Sequence, residues 1–275
     1  MMAGQQAALL RLLSDDDPDT VALVKKQLLE IGNDAVPDMR ALLMADNAIA
    51  ARHAREVLDD IETREANNAF TLLCHMFPVD GDIERASWML ATSLTPGLDV
   101  GRYQRQLDVW GRELAEALHG AKRPGLVVRT LAEFMTGDLG FRGNAEDYYN
   151  ASNSLLPDVM DTRLGIPISL TLLYLAVARR AGITIEGINL PGHFIARHGD
   201  ILFDPYNGGT QLSESDVEAI LAKQHLPMQP SYLAAATPRQ MLSRVLVNLA
   251  HIYTRDEETP RRVQVSGWLK ALLRR

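Results

Sequence analysis

Apolar residues in the first 64 positions recur at three- and four-residue spacing, and polar breaks cut the pattern into short helices. Ser14-Asp15-Asp16-Asp17-Pro18 is the first break, and its acidic run with Pro18 suits a helix start. Val21, Val24, Leu28, Leu29 and Ile31 then form a stripe, Gly32-Asn33 ends it, and Asp34 is placed to cap a helix carrying Val36, Met39, Leu42 and Leu43. Asp46-Asn47 repeats the break before a helix over 48–61. Short helices with Asp/Asn turns resemble HEAT-type repeats. Only about one and a half units are present, where a self-standing array needs roughly three. Helical patterning continues over 66–137, with Leu107, Trp110, Leu114 and Leu118 on one stripe and Pro124-Gly125 opening a further helix that runs to Met135.

The pattern changes after Gly137. Residues 138–162 are rich in Gly, Asn, Tyr and Asp, a loop-rich stretch of the kind that carries sites. Gly165-Ile166-Pro167-Ile168-Ser169 opens a strongly apolar helix that ends at Arg179-Arg180-Ala181-Gly182. Three strands follow, over 183–190, 193–197 and 201–204, joined by tight turns into an antiparallel meander. From Ser213 onward the chain returns to helix. The predicted fold is therefore α+β and mostly helical. Its segments are a HEAT-like stretch over 1–65, a central domain over 66–255 and a C-terminal helix over 256–275.

Composition narrows the function classes. With 47% hydrophobic and 23% charged residues the chain reads as an ordinary globular protein of 275 residues. No run reaches the roughly 18 apolar residues of a membrane helix, and Met1 to Leu13 lacks the charged start of a secretory signal. A net charge of −7 argues against nucleic-acid binding. The basic residues of 255–275 fit a solvated helix whose cationic end matches its dipole. The single cysteine, Cys74, lies in an apolar helical run and suits a buried small hydrophobe in a cytoplasmic protein. No phosphate loop, HExxH or paired CxxC occurs. His193 and His198 are an odd number of residues apart and face opposite sides of one strand, so neither metal nor cofactor is expected.

Candidate chemistry gathers on the meander. With a hairpin centred between His198 and Gly199, His193 and Asp204 lie directly opposite each other. A carboxylate there holds an imidazole in one tautomer, the supporting part of a nucleophile–His–Asp triad; the same pair also serves stability alone. The helix N-terminus after Gly165 is where an anionic nucleophile would be favoured.

Gly140-Phe141-Arg142-Gly143-Asn144, Asn153-Ser154, Gly165-Ile166-Pro167-Ile168, Pro191-Gly192-His193-Phe194 and Asp204-Pro205-Tyr206-Asn207-Gly208-Gly209 occur in that order. Together they resemble the SirB-one family of the transglutaminase-like superfamily, relatives of the papain-like fold. That family is described as bacterial regulators with a transglutaminase-like domain followed by TPR repeats, and a similar domain occurs in an F-box protein. The resemblance implies that His193 and Asp204 match the catalytic His and Asp, while the cysteine position falls on Pro167, which cannot be a nucleophile. Ser169 is either a weak substitute or a capping hydroxyl. Asn144, Tyr148, Asn153 and Ser154 line the cleft or close turns. Arg142 and Arg163 bind an anion or pair with Asp147, Asp158 or Asp161. The leading expectation is a cytoplasmic, non-catalytic protein that holds a protein or peptide partner. The alternatives are a hydrolase or acyltransferase using His193 and Asp204 with Ser169 or a water, and a structural adaptor.

Overall fold

A computed structural model describes residues 3–274. The chain forms two compact units. The first holds the residues up to Ala69 together with Thr92–Leu98, and the second holds Phe70–Ala91 and the residues from Asp99 on.

The first unit begins with helices α1 (Ala3–Leu12), α2 (Pro18–Ile31) and α3 (Val36–Leu43), and takes in most of α4 (Ala48–Met76). The acidic break works as its sequence implies: Asp17 caps α2 by accepting from the Asp19 and Thr20 amides, with Pro18 in the first turn. Asp34 does not cap α3. It lies inside a 3-10 turn over Gly32–Ala35, and the cap residue Ala35 has no side chain to offer. Leu13, Val24, Leu28, Met39, Ala54, Val57 and Ile61 meet in one buried cluster. The helix expected to end at 61 instead runs unbroken to Met76. No glycine or proline occurs between 48 and 76 to stop it, and Pro78 finally does.

In the second unit α5 (Ile83–Leu94, whose last three residues belong to the first unit), α6 (Val100–Leu118) and α7 (Pro124–Ala132) precede the site-bearing part. A π-helical turn over Glu133–Asp138 carries the chain from α7 toward β1 (Arg142–Gly143). A 3-10 turn over Ala151–Ser154 leads into α8 (Leu156–Thr162), and β2 (Leu164–Gly165) then pairs parallel with β1. The short helix α8 was not expected in this polar stretch, although Leu155-Leu156-Pro157 and Val159-Met160 carry a helix-start pattern. The apolar helix α9 (Pro167–Arg180) is the axis of this unit, with Ile168, Leu170, Leu173, Tyr174 and Val177 all buried. It ends as the Gly182 position implied: Ile183 N–H donates to Ala178 O and Gly182 N–H to Arg179 O, with Gly182 at φ +76°. α6 crosses α9 at Gly111, where a Cβ would come within 2.2 Å of the Arg180 Cβ.

The meander has four strands: β3 (Glu186–Ile188), β4 (Ile195–His198), β5 (Ile201–Asp204) and β6 (Thr210–Leu212), antiparallel in that order. β6 escapes sequence reading because Thr210-Gln211-Leu212 carries a single apolar residue. Helices α10 (Glu214–Ala222), α11 (Pro238–Arg255) and α12 (Thr259–Leu273) complete the unit. No helix among the described residues is long and apolar enough to cross a membrane.

Candidate functional site

The hairpin register corrects the expected pairing. His198 pairs with Ile201 and Ala196 with Phe203, so the hairpin centre lies one residue later than predicted, between Gly199 and Asp200. His193 is not in β4 at all. It ends a turn in which its amide donates to Leu190 O (3.1 Å), with Pro191 and Gly192 (φ +76°) at the corner. Moving the centre by one residue changes each partner by two positions, which leaves His193 and Asp204 on the same face as diagonal neighbours. They meet there: His193 Nε2 is 2.7 Å from Asp204 Oδ2.

Asp204 is built to stay ionised. Its side chain is 1% exposed, and it caps the 3-10 turn Pro205–Asn207. Oδ1 accepts from the Tyr206 amide (3.0 Å) and the Asn207 amide (3.3 Å), and Oδ2 also accepts from Asn207 Nδ2 (2.7 Å). Burial alone would raise this carboxyl, but the hydrogen bond and charge of His193 and the bonds from Asn207 hold it below its ordinary value. With the carboxylate ionised, Nε2 carries the ring proton that points at it, and Nδ1 is the acceptor of the neutral imidazole. Asn207 is a member of the site that sequence reading passed over, though it stood in the Asp204-Pro205-Tyr206-Asn207 string.

An aromatic row leads away from the pair. The His193 ring meets Tyr206 edge-on at 6.0 Å between centroids, Tyr206 meets Tyr148 at 6.2 Å, and Tyr148 meets Tyr149 at 5.2 Å. Tyr206 lies over Gly143 so closely that a Cβ there would stand 2.5 Å from its ring. Burial raises the hydroxyl pKa of both Tyr148 and Tyr206. Beside Tyr148 stands Arg244, a residue not singled out in the sequence.

The remaining predicted residues are placed differently. Pro167 is buried at the first position of α9, where it offers neither a donor nor a nucleophile. Ser169 is 0% exposed; its hydroxyl donates to Asn153 O (2.5 Å) and accepts from the Ile166 amide (3.1 Å). That is a first-turn capping arrangement. Asn144 Nδ2 donates to Asn153 Oδ1 (3.0 Å), Asn144 Oδ1 accepts from the Asp147 amide (3.0 Å), and Asn153 Nδ2 donates to Asp147 O (2.6 Å). These side chains close the 144–153 loop. Ser154 Oγ is buried with no hydrogen-bond partner among the described residues.

Arg142 is exposed. Arg163 forms no ion pair with any of the three expected aspartates. Its guanidinium lies in the corner formed by Trp110 and Phe141, 4.7 Å from each ring centroid, the two rings themselves meeting edge-on at 5.6 Å, while Asp161 receives the Tyr103 hydroxyl (2.6 Å). Cys74 is fully buried, and burial pushes its thiol up to about 12. His198 Nδ1 bonds Thr184 O at 2.8 Å. No cluster of three potential metal ligands occurs among the described residues.

The apolar helix α9, a buried carboxylate and a histidine brought to it by a turn point to the transglutaminase-like class. The chain belongs to that family: the model of the transglutaminase-like superfamily matches residues 101–247. A UPF0162 protein of Xylella fastidiosa is 30% identical over 184 residues, covering 63% of this chain and 65% of that protein. A UPF0162 protein of Pseudomonas aeruginosa is 30% identical over 176 residues, covering 62% of this chain and 64% of its own length. F-box only protein 21 of mouse is 34% identical over 130 residues, which is 43% of this chain and 20% of that protein. The match thus spans a little under two thirds of the bacterial relatives and a fifth of the mouse protein. No solved structure matches the chain.

Proposed function

We propose that this protein is a non-catalytic, transglutaminase-like binding module that retains the His193–Asp204 pair and uses the surface around it to hold a peptide or protein partner. What supports this reading is the fate of the candidate nucleophilic side chains. Pro167 occupies the position matched to the cysteine, and the Ser169 hydroxyl is fully buried with its proton committed to Asn153 O. The only thiol, Cys74, is buried and far from ionising at neutral pH. An acyl-transfer enzyme needs a nucleophile within hydrogen-bond reach of its base.

The similarity to a short stretch of a much longer F-box only protein supports a module that is carried in different architectures. The SirB-one assignment, a regulatory role in the cytoplasm, and the division into a HEAT-like segment over 1–65, a domain over 66–255 and a TPR-like C-terminal helix over 256–275 belong to the same proposal.

The test pairs activity with binding. Hydroxamate formation from glutamine peptides and thioester hydrolysis are measured for the intact protein and His193→Ala, alongside binding to an array of immobilised peptides. The expected result is no turnover that depends on His193, and peptide binding that His193→Ala or Tyr148→Ala weakens. Turnover that disappears in His193→Ala would overturn the reading in favour of a hydrolase or acyltransferase.

A further inference from the structure

Arg244, on α11, is a cation without a counter-charge among the described residues. Its only hydrogen-bond partner among the described residues is the neutral side-chain oxygen of Asn189, at 3.3 Å, and it forms no ion pair there. It is partly withdrawn from water, and that desolvation lowers its pKa, with the neighbouring Tyr148 hydroxyl the one group opposing the shift. A guanidinium keeps its proton under these conditions, so the site holds an unneutralised positive charge in a partly dry place.

Arg244 also lines a cavity of about 630 Å³, whose wall includes Asn189, Ser243 and a second arginine, Arg239, and, among the described residues, no carboxylate. Arg239 is already engaged, donating to the carbonyls of Leu272 and Arg274 at the end of α12. Arg244 is therefore the charge left for a ligand. Thr237 and Gln240 add neutral polar groups, and three apolar side chains, Val79, Val247 and Leu273, also line it, all three exposed despite their size. One cation with neutral donors matches a singly charged planar anion, and the apolar wall matches a hydrocarbon group attached to it.

We propose that this cavity is a carboxylate-binding site that takes the free C-terminus of a peptide whose last side chain is apolar, with Arg244 holding the carboxylate. Asn189 stands four residues before His193 in the β3–β4 loop, and Tyr148, beside Arg244, is joined through Tyr206 to the His193 ring. The inference deepens the peptide-binding reading and rests on it.

The experiment titrates the intact protein with acetyl-alanyl-alanyl-leucine as the free acid and as its C-terminal amide. Binding is read from NMR shifts of the Asn189 side-chain amide and the Arg244 Nε–H. The acid is expected to bind at least about tenfold more tightly than the amide, because the amide leaves the partly desolvated charge unpaired. Arg244→Gln should bring the acid to the level of the amide, with Arg244→Lys in between. Should Arg244→Gln fail to fold, the acid–amide comparison on the unaltered protein decides alone. Equal binding of acid and amide overturns the carboxylate site and leaves the peptide-binding reading standing. Displacement by inorganic phosphate at much lower concentration than acetate also overturns it, in favour of a phosphate ligand. If neither peptide moves these resonances, the cavity is not a peptide site, while the array experiment with His193→Ala judges the wider reading separately.

Discussion

His193 and Asp204 touch at 2.7 Å although the sheet register does not set them opposite each other: the register extends to place Asp204 across from Ile195, and His193 reaches it diagonally from a Pro-Gly turn. The pair therefore depends on two turns as much as on the strands. One is Leu190–His193, which aims the imidazole. The other is the 3-10 turn after Asp204, whose amides fix the carboxylate.

Asp204 makes the fold sensitive to acid. Its folded pKa is held below the unfolded value, so the ionised carboxylate stabilises the protein above the unfolded carboxylate range, near pH 4. That contribution is lost as pH falls through the folded value. Urea midpoints followed from about pH 7 down to 3 should drop for the intact protein and drop less for Asp204→Asn. Asp204→Ala leaves His193 and Asn207 without their acceptor and should cost about 3 kcal/mol at neutral pH. An acid profile unchanged by Asp204→Asn would show that other carboxylates govern it.

Ser169 separates structure from chemistry. Replacing it with alanine removes the nearer acceptor of the buried Ile166 amide and the hydroxyl donor to Asn153 O, leaving only the longer Ile166 N–H to Asn153 O bond (3.4 Å), and should destabilise the protein by about 0.5–1.5 kcal/mol. Peptide binding by the folded fraction should stay as it was. A substitution that left thermal stability intact but abolished a measured activity would instead mark Ser169 as a reacting group.

Much of this was legible in the chain, and what was missed has physical reasons. Period-3.6 stripes revealed α6 and α9 because each buries a long apolar face, and Gly182 announced the end of α9 through the backbone conformation it adopts. His193 and Asp204 stood out because a Gly-His and an Asp-Pro flank short apolar strands. Their contact was anticipated for a register that does not occur, since hairpin centres depend on turn geometry that alternation alone does not reveal. Asn144 and Asn153 were read as either cleft-lining or turn-closing, and only their mutual hydrogen bonds tell which. Arg244 carried no local signal: its isolation from carboxylates arises from packing between segments some 50 residues apart.

Gly143 controls the position of Tyr206. A Cβ at this residue would lie 2.5 Å from the Tyr206 ring, closer than any carbon contact tolerates, so Gly143→Ala must displace the ring or the β1 backbone. The expected cost is about 1–3 kcal/mol by chemical denaturation. Because Tyr206 packs against His193, the imidazole resonances should shift as well. A stable variant with unmoved His193 signals would mean that Tyr206 has room to swing away without disturbing the pair.

Arg163 tests how two effects of opposite sign balance at one residue. It sits at φ +64°, a left-handed conformation that costs a non-glycine residue about 1–2 kcal/mol. Glycine would relieve that cost and lose the stacking on Trp110 and Phe141, each face contributing about 0.5–2 kcal/mol when partly desolvated. The half-buried side chain's packing is lost too, so Arg163→Gly should be net destabilising. Arg163→Lys should also lose stability, because an ammonium has no planar face to lay against the two rings. Asp161→Asn supplies the contrast: if Arg163 acted through its charge on Asp161, that variant would mimic Arg163→Lys. The geometry instead predicts a change within about 0.5 kcal/mol, since Asp161 is exposed and its amide replacement still accepts the Tyr103 hydroxyl. Urea unfolding of the three variants side by side distinguishes the two, and matching losses for Arg163→Lys and Asp161→Asn would replace the stacked arginine with an ion pair as the source of stability.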